Sequence, residues 1–227
     1  PYWVSYPEQV RLAGATPVTV ETTPADGYVL RPQALEAVLT DTTRAILFNS
    51  PSNPTGAVYS RDEMEALAAV LRRYPRVLVV SDEIYEDVVF DAAHVSFGTL
   101  DGMAERTVTI NGFSKGYAMT GWRLGYLAGP SWLVQAAGTL QSQFTSGPSS
   151  ITQAAAVVAY AMDRAPIDHM VAAFRERRDA VHARLVAIDG VSCPLPQGAF
   201  YLFPDVSGVF GRTAPDGTVI DSSLALC

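Results

Sequence analysis

Lys115 is the only lysine in a chain of 227 residues, and the other fifteen Lys/Arg positions are all arginine. It sits in Asn111-Gly112-Phe113-Ser114-Lys115-Gly116. Arginine keeps its proton in a protein, whereas a lysine amine can be desolvated and made nucleophilic. The chemistry that uses such an amine is Schiff-base formation with a carbonyl. A chain this poor in lysine must also put its last one somewhere, so the neighbouring residues decide.

Three apolar runs end in residues able to work beside that amine. Residues 44–48 lead into Asn49-Ser50-Pro51-Ser52-Asn53-Pro54-Thr55-Gly56, 77–80 into Ser81-Asp82-Glu83-Ile84-Tyr85, and 107–110 into Asn111 and then Lys115. If the runs are parallel strands, their carboxyl ends form one ligand-binding edge. The aldehyde of pyridoxal phosphate makes four demands that this set answers. Its ring nitrogen needs a buried carboxylate to stay protonated, for which Asp82 is placed. Its phenolic oxygen needs donors, and Asn53 and Tyr85 are candidates. Its phosphate needs a bidentate cation, and Arg123, eight residues after Lys115, suits that better than a lysine would. Its ring face needs an aromatic platform, which Trp3 can supply. Each residue also has an ordinary structural role: Asp82 as a strand-end cap, Asn53 in an Asn-Pro-Thr-Gly turn, Arg123 on the surface, Trp3 in the core. Their joint occurrence in one ordered array favours the chemical reading.

The elements that must hold these residues alternate between strand and helix. The runs 17–20, 44–48, 77–81, 107–111 and 124–128 are predicted strands, and 31–39, 61–73 and 132–139 predicted helices. Ser60 is the expected N-cap of the second helix, with Glu63 at the capping-box position. Apolar strands separated by helices predict an α/β fold, a three-layer α/β/α arrangement around a mainly parallel sheet. After Ile151 the pattern changes. Residues 151–162 predict a buried, alanine-rich helix. Residues 167–188 predict a long amphipathic one with Met170, Phe174, Val181 and Leu185 on the apolar stripe and Arg175, Glu176, Arg178 and Asp179 off it. Strands at 191–194 and 199–203 would begin a smaller C-terminal α+β domain. The expected division is a large cofactor-binding domain over 1–165, a connecting helix over 166–190, and part of a second domain over 191–227.

With these residues in place, the chain resembles a known family. Asn53-Pro54-Thr55-Gly56, Ser81-Asp82-Glu83-Ile84-Tyr85 and Phe113-Ser114-Lys115-Gly116-Tyr117-Ala118-Met119-Thr120-Gly121-Trp122-Arg123-Leu124-Gly125 are similar to the class I/II aminotransferases, pyridoxal-phosphate enzymes of the aspartate aminotransferase fold. Pro1-Tyr2-Trp3-Val4-Ser5-Tyr6-Pro7-Glu8 and Gln197-Gly198-Ala199-Phe200-Tyr201 match too, and the nearest subgroup is the thermophile type of bacterial aspartate aminotransferase. The resemblance implies that Lys115 is the Schiff-base lysine and general base. It implies that Asp82 partners the pyridinium, that Asn53 and Tyr85 donate to the phenolic oxygen, and that Arg123 holds the phosphate. Trp3 would stack on the ring, with Trp3 and Asn53 also facing the substrate. It further implies transfer of an amino group from an L-amino acid of the aspartate type to a 2-oxo acid such as 2-oxoglutarate, by a homodimer. A β-lyase or cyclase of the same fold, or a non-catalytic binding domain, is the alternative. In many relatives a phosphate-binding hydroxyl stands three residues before the lysine. In this chain that position is Gly112, which leaves Ser114 as the candidate substitute. Both ends read as cut from a longer protein, so the family's phosphate-cradling helix, intersubunit tyrosine and carboxylate-binding arginine would lie outside these residues. Arg212 does not match the last of these.

Composition excludes other classes. The chain is 48% hydrophobic and 17% charged with a formal net charge of −7. An acidic balance argues against nucleic acid or an anionic membrane as partner. No apolar run reaches the ~20 residues of a membrane span. No GxGxxG follows the first strand and no phosphate-binding GxxxxGK[ST] occurs, which disfavours a nucleotide-binding sheet. Two cysteines, Cys193 and Cys227, form neither a disulfide framework nor a metal-ligand spacing, so a cytoplasmic location is expected.

Overall fold

Ser60 starts the best-defined helix. Its hydroxyl accepts from the Glu63 backbone N–H while the Glu63 carboxylate accepts from the Ser60 N–H, closing the expected capping box. The helix it starts, α3 (Arg61–Arg72), buries Met64, Leu67, Ala68 and Leu71, the 3–4–7 spacing of one helical face. That face packs with Leu35 of α2 (Pro32–Val38), with Phe48 and Val79 from the sheet, and with Phe97 and Met103, in a single 16-residue core. Arg106 closes the far end. Its guanidinium donates to the carbonyl of Leu71 in the last turn of α3 and to those of Tyr74 and Val77 in the segment that leads from α3 into the sheet.

A computed structural model describes all residues, Pro1–Cys227. The sheet contains β1 (Ala45–Asn49), β2 (Leu78–Asp82), β3 (Thr107–Gly112) and β4 (Gly125–Ala128), in that spatial order. β1, β2 and β3 are parallel, and Asn49, Asp82 and Ile110 stand in register at their carboxyl ends. β4 runs antiparallel to β3. The expected mainly parallel α/β sheet is therefore present. The remaining helices are α1 (Ser5–Leu12), α4 (Ser131–Phe144), α5 (Ser150–Ala161), α6 (Ala165–Val186) and α7 (Ser223–Leu226).

Several expected elements differ. Residues 17–20 form no strand: Val18 is exposed and the four-stranded sheet has no partner for them. The segment 191–194 contributes one isolated pairing, Ser192 with Asp205, and 199–203 contributes none, with a left-handed backbone at its first residue, Ala199, that departs from strand geometry. α4 runs to Phe144, beyond the expected 139. α5 buries only Thr152, Ala156 and Ala159, whereas Ile151, Val157 and Val158 face outward, so it is buried on one side rather than throughout. α6 reverses part of its expected pattern. Arg178 is buried and Val181 exposed. The Arg178 guanidinium is admitted because it is fully matched, by Asp91 at 2.7 Å, Asp179 at 2.8 Å and the Phe90 ring at 4.7 Å.

Candidate active site

Asp82 ends β2, and both of its carboxylate oxygens are occupied. Oδ1 accepts from the Ile84 backbone N–H at 3.1 Å, and Oδ2 accepts from the Tyr6 hydroxyl at 2.7 Å. A carboxylate pinned at both oxygens has a fixed direction, which a charge partner needs. Burial first, and then the Asp82 charge, push the Tyr6 phenol far above its usual range, so it stays a neutral donor. Trp3 sets its ring edge-to-face on Tyr6, with centroids 5.4 Å apart. Tyr6 thus joins Trp3 to Asp82. In the sequence it stands only as part of the matching Pro1–Glu8 stretch, with no role read from it, and the signal for it is its place three residues after Trp3, on the same side of a helical turn.

The β1 end is tied to the same point. Asn49 Nδ2 donates to the Asp82 carbonyl at 3.0 Å, and its Oδ1 accepts from the Asn53 N–H at 2.7 Å. Both Ser50–Pro51 and Asn53–Pro54 are cis. Tyr85, buried, shares a 2.6 Å hydrogen bond with Tyr201, and Phe200 packs edge-to-face on its ring at 5.3 Å. Burial, the Tyr201 bond and the Asp82 charge raise the Tyr85 phenol. The Asn53 side chain, near enough to bond the same hydroxyl, works the other way. The Lys115 Nζ lies 5.8 Å from the Tyr85 ring centroid and 5.5 Å from that of Phe200. Asp82, Asn53, Tyr85 and Lys115 are therefore brought together, with Tyr6, Asn49, Phe200 and Tyr201 added.

Glu83 explains why Asp82 faces this way. It is fully buried, with Oε1 accepting from the Ser81 and Ser96 hydroxyls and the Phe97 N–H, and Oε2 bonded to His94. Adjacent side chains of an extended segment point to opposite faces. Anchoring Glu83 behind the sheet leaves Asp82 toward the site.

Arg123 and Ser114 sit at the two ends of one turn. Arg123 Nη1 donates to the Thr120 carbonyl at 2.9 Å, and Thr120 Oγ1 donates to the Ser114 carbonyl at 2.8 Å. Neither side chain contacts the Asp82 carboxylate. At Gly112 a Cβ would lie 2.8 Å from both the Gly125 Cα and the Leu124 carbonyl, so the approach of β3 to β4 requires glycine there. Non-glycine residues with left-handed φ occur at Ala118 and Arg123 in the segment after the lysine and at Ala199 beside Phe200, and away from these at Tyr28 and Ser146. Each costs about 1–3 kcal/mol, and such strain gathers where geometry is imposed for function.

The donor set fits pyridoxal phosphate. One primary amine, one fixed carboxylate and two phenols with an amide stand at the carboxyl edge of a parallel sheet, matching the aldehyde, ring nitrogen and phenolic oxygen. A cavity of about 750 Å³ lies elsewhere, lined by residues 26–29, 55–63, 92–95 and 194–197, and of these groups only the Asn53 loop, through Thr55, borders it.

The chain matches the family model for aminotransferase class I and II over residues 1–220. It is 52% identical to an aspartate aminotransferase of Pinus pinaster, covering 100% of this chain and 47% of that protein. It is 49% identical to an aspartate/prephenate aminotransferase of Cereibacter sphaeroides, covering 99% of this chain and 57% of that one. The crystal structure of an aspartate aminotransferase from Rhizobium meliloti superposes with a TM-score of 0.97 at 43% identity, over 100% of this chain and 57% of the other. The chain thus spans about half the length of the relatives it matches.

Proposed function

The chain belongs to the class I and II aminotransferases, and we propose that its Lys115 site serves, in the full-length protein, to move an amino group from an L-amino acid to a 2-oxo acid with pyridoxal 5'-phosphate as cofactor. The observation that carries this reading is the placement of the sole lysine's amine beside Tyr85, whose segment begins at the pinned Asp82. Pyridoxal phosphate, when bound, supplies an electron sink that acidifies the Cα–H of an attached amino acid.

The residues divide that work by their mobility. Asp82 is rigid, and its task is to keep a proton on the ring nitrogen. Tyr85 and Asn53 are donors to the phenolic oxygen, and Tyr201 steadies Tyr85. Arg123 and Ser114, at the ends of their turn, are the groups for the phosphate. Trp3 covers the ring face. Lys115 differs because its amine rests over two aromatic rings, contacts without the directionality of an ion pair. Such an amine would hold the aldehyde when the cofactor is bound and, once displaced by substrate, would be the base for the Cα proton. Arginine cannot do this, because it stays protonated.

An aspartate-type donor with 2-oxoglutarate as acceptor is the substrate reading, supported by the names of the relatives, and its place is in amino-acid biosynthesis. The homodimer and the division at 1–165, 166–190 and 191–227 belong to the same proposal. So does the cytoplasmic location, which rests on two unpaired cysteines. No helix is long and apolar enough to cross a membrane. Lys115→Arg in the full-length protein is expected to lower transamination of aspartate with 2-oxoglutarate by several orders of magnitude in a coupled assay, and appreciable turnover in that variant would refute the assignment.

A further inference from the structure

Asp87 comes two residues after Tyr85, and its side chain stands where a side chain at position 116 would stand. A Cβ built on Gly116 would lie 2.9 Å from the Asp87 Cβ and 3.0 Å from its Cγ, and closer still to Oδ2. The residue next to Lys115 is therefore a glycine whose missing side chain is replaced by Asp87. On its other side the Asp87 carboxylate accepts from Arg164 Nη1 at 2.6 Å. Arg164 is the N-cap residue of α6.

The same helix grips the same segment twice more. Arg175 bonds the Phe90 carbonyl and pairs with Asp91, and Arg178 pairs with Asp91 from the buried side. The segment also holds the loop that carries Phe200 and Tyr201, through Phe90 N–H to the Gln197 carbonyl and Ala199 N–H to the Val88 carbonyl, each 2.8 Å. Residues 87–91 are thus the junction of α6, the lysine loop and the Phe200–Tyr201 loop. An ion pair as open as Asp87–Arg164, with the arginine side chain 57% exposed, adds little stability. Its effect is on position.

We propose that Asp87 is a positioning residue for Lys115: held by Arg164 at the head of α6, it occupies the space over Gly116 and fixes the lysine loop relative to Tyr85 and Phe200. The proposal rests on the reading of Lys115 as the cofactor lysine. The loop's own closure is slight, Ala118 N–H to the Lys115 carbonyl and Met119 N–H to the Phe113 carbonyl at 3.1 Å each, with Ala118 at a φ of 53°. Without Asp87 those two bonds should open more often.

Variants of the full-length protein test this in two ways. In the cofactor-free protein, Asp87→Gly is expected to speed hydrogen exchange of the Ala118 and Met119 amides about tenfold, with the melting temperature within about 3 °C of the parent. In the loaded enzyme it is expected to lower kcat about tenfold with KM within about twofold. Gly116→Ala is expected to lower kcat in the parent but to raise it at least about threefold when added to Asp87→Gly, because the methyl then fills the vacated space. A Gly116→Ala effect of the same sign in both backgrounds, or unchanged amide exchange in Asp87→Gly, would overturn the proposal through the contact. Turnover retained by Lys115→Arg would overturn it through the lysine assignment, and the two failures are distinguishable because exchange is read without cofactor.

Discussion

In the role proposed for it the Asp82 carboxylate must not drift, and the Tyr6 hydroxyl is bonded to it at 2.7 Å. Tyr6→Phe removes the bond to Asp82 Oδ2 and leaves the shape. A hydrogen bond to a charged group is worth about 1.5–3 kcal/mol, so kcat/KM for aspartate is expected to fall at least about tenfold. Steady-state kinetics on the purified full-length variant checks it, and an unchanged value would mean Asp82 is held by Ile84 alone. Glu86 gives a pH prediction. Burial, and then the Asp87 charge, raise its carboxyl above the ordinary 4.5. The folded state therefore binds the proton more tightly than the unfolded one, and this group's contribution is fully present below pH 4.5 and lost as pH rises through the raised value. Glu86→Gln is expected to melt higher than the parent at pH 7, with the difference disappearing below the ordinary carboxyl pKa, measured by thermal melts across pH. The clustering of the candidate residues was legible in the sequence where they fall at strand ends, as at Asp82, Tyr85 and Lys115. Tyr6 and Asn49 were given no role from sequence because each acts by holding Asp82, a contact across the fold that spacing does not show.

Elements were legible where one face is buried. α3 combines a capping box with a 3–4–7 apolar face, and its start is as read from Ser60 and Glu63. Ser60→Ala is expected to cost about 1 kcal/mol, lowering the melting temperature by about 2–4 °C in a chain of this size, and scanning calorimetry measures it. Residues 17–20 look like a strand by composition, yet a strand needs a neighbour, and sequence pattern does not show which edges are taken. α6 misled for a different reason. Periodicity treats arginine as solvent-facing, whereas Arg178 is buried by its partners on residues 91 and 196, far away in the chain. The left-handed turn at Ala199, the first residue of the strand expected over 199–203, likewise has no compositional sign.

Whole-molecule behaviour follows from what these residues leave open. Trp132 is 58% exposed, Phe144 79%, Ile151 76% and Val157 71%, an unusual density of bare apolar side chains on α4 and α5. Expressed as these 227 residues, the chain is expected to self-associate and to bind a hydrophobic dye. A monodisperse 24.3 kDa species in light scattering, without dye binding, would contradict this. The fold class was readable at this level because alternating apolar strands and helices permit few arrangements. The open faces were not, since the sequence pattern of α5 is that of a helix buried all round. The most direct measurement on the whole enzyme is borohydride reduction of the full-length protein loaded with pyridoxal phosphate, followed by peptide mapping. The label is expected on the peptide containing Lys115, with none in Lys115→Arg. A label on any other peptide, or none in the parent, would contradict the assignment of that amine as the Schiff-base nucleophile.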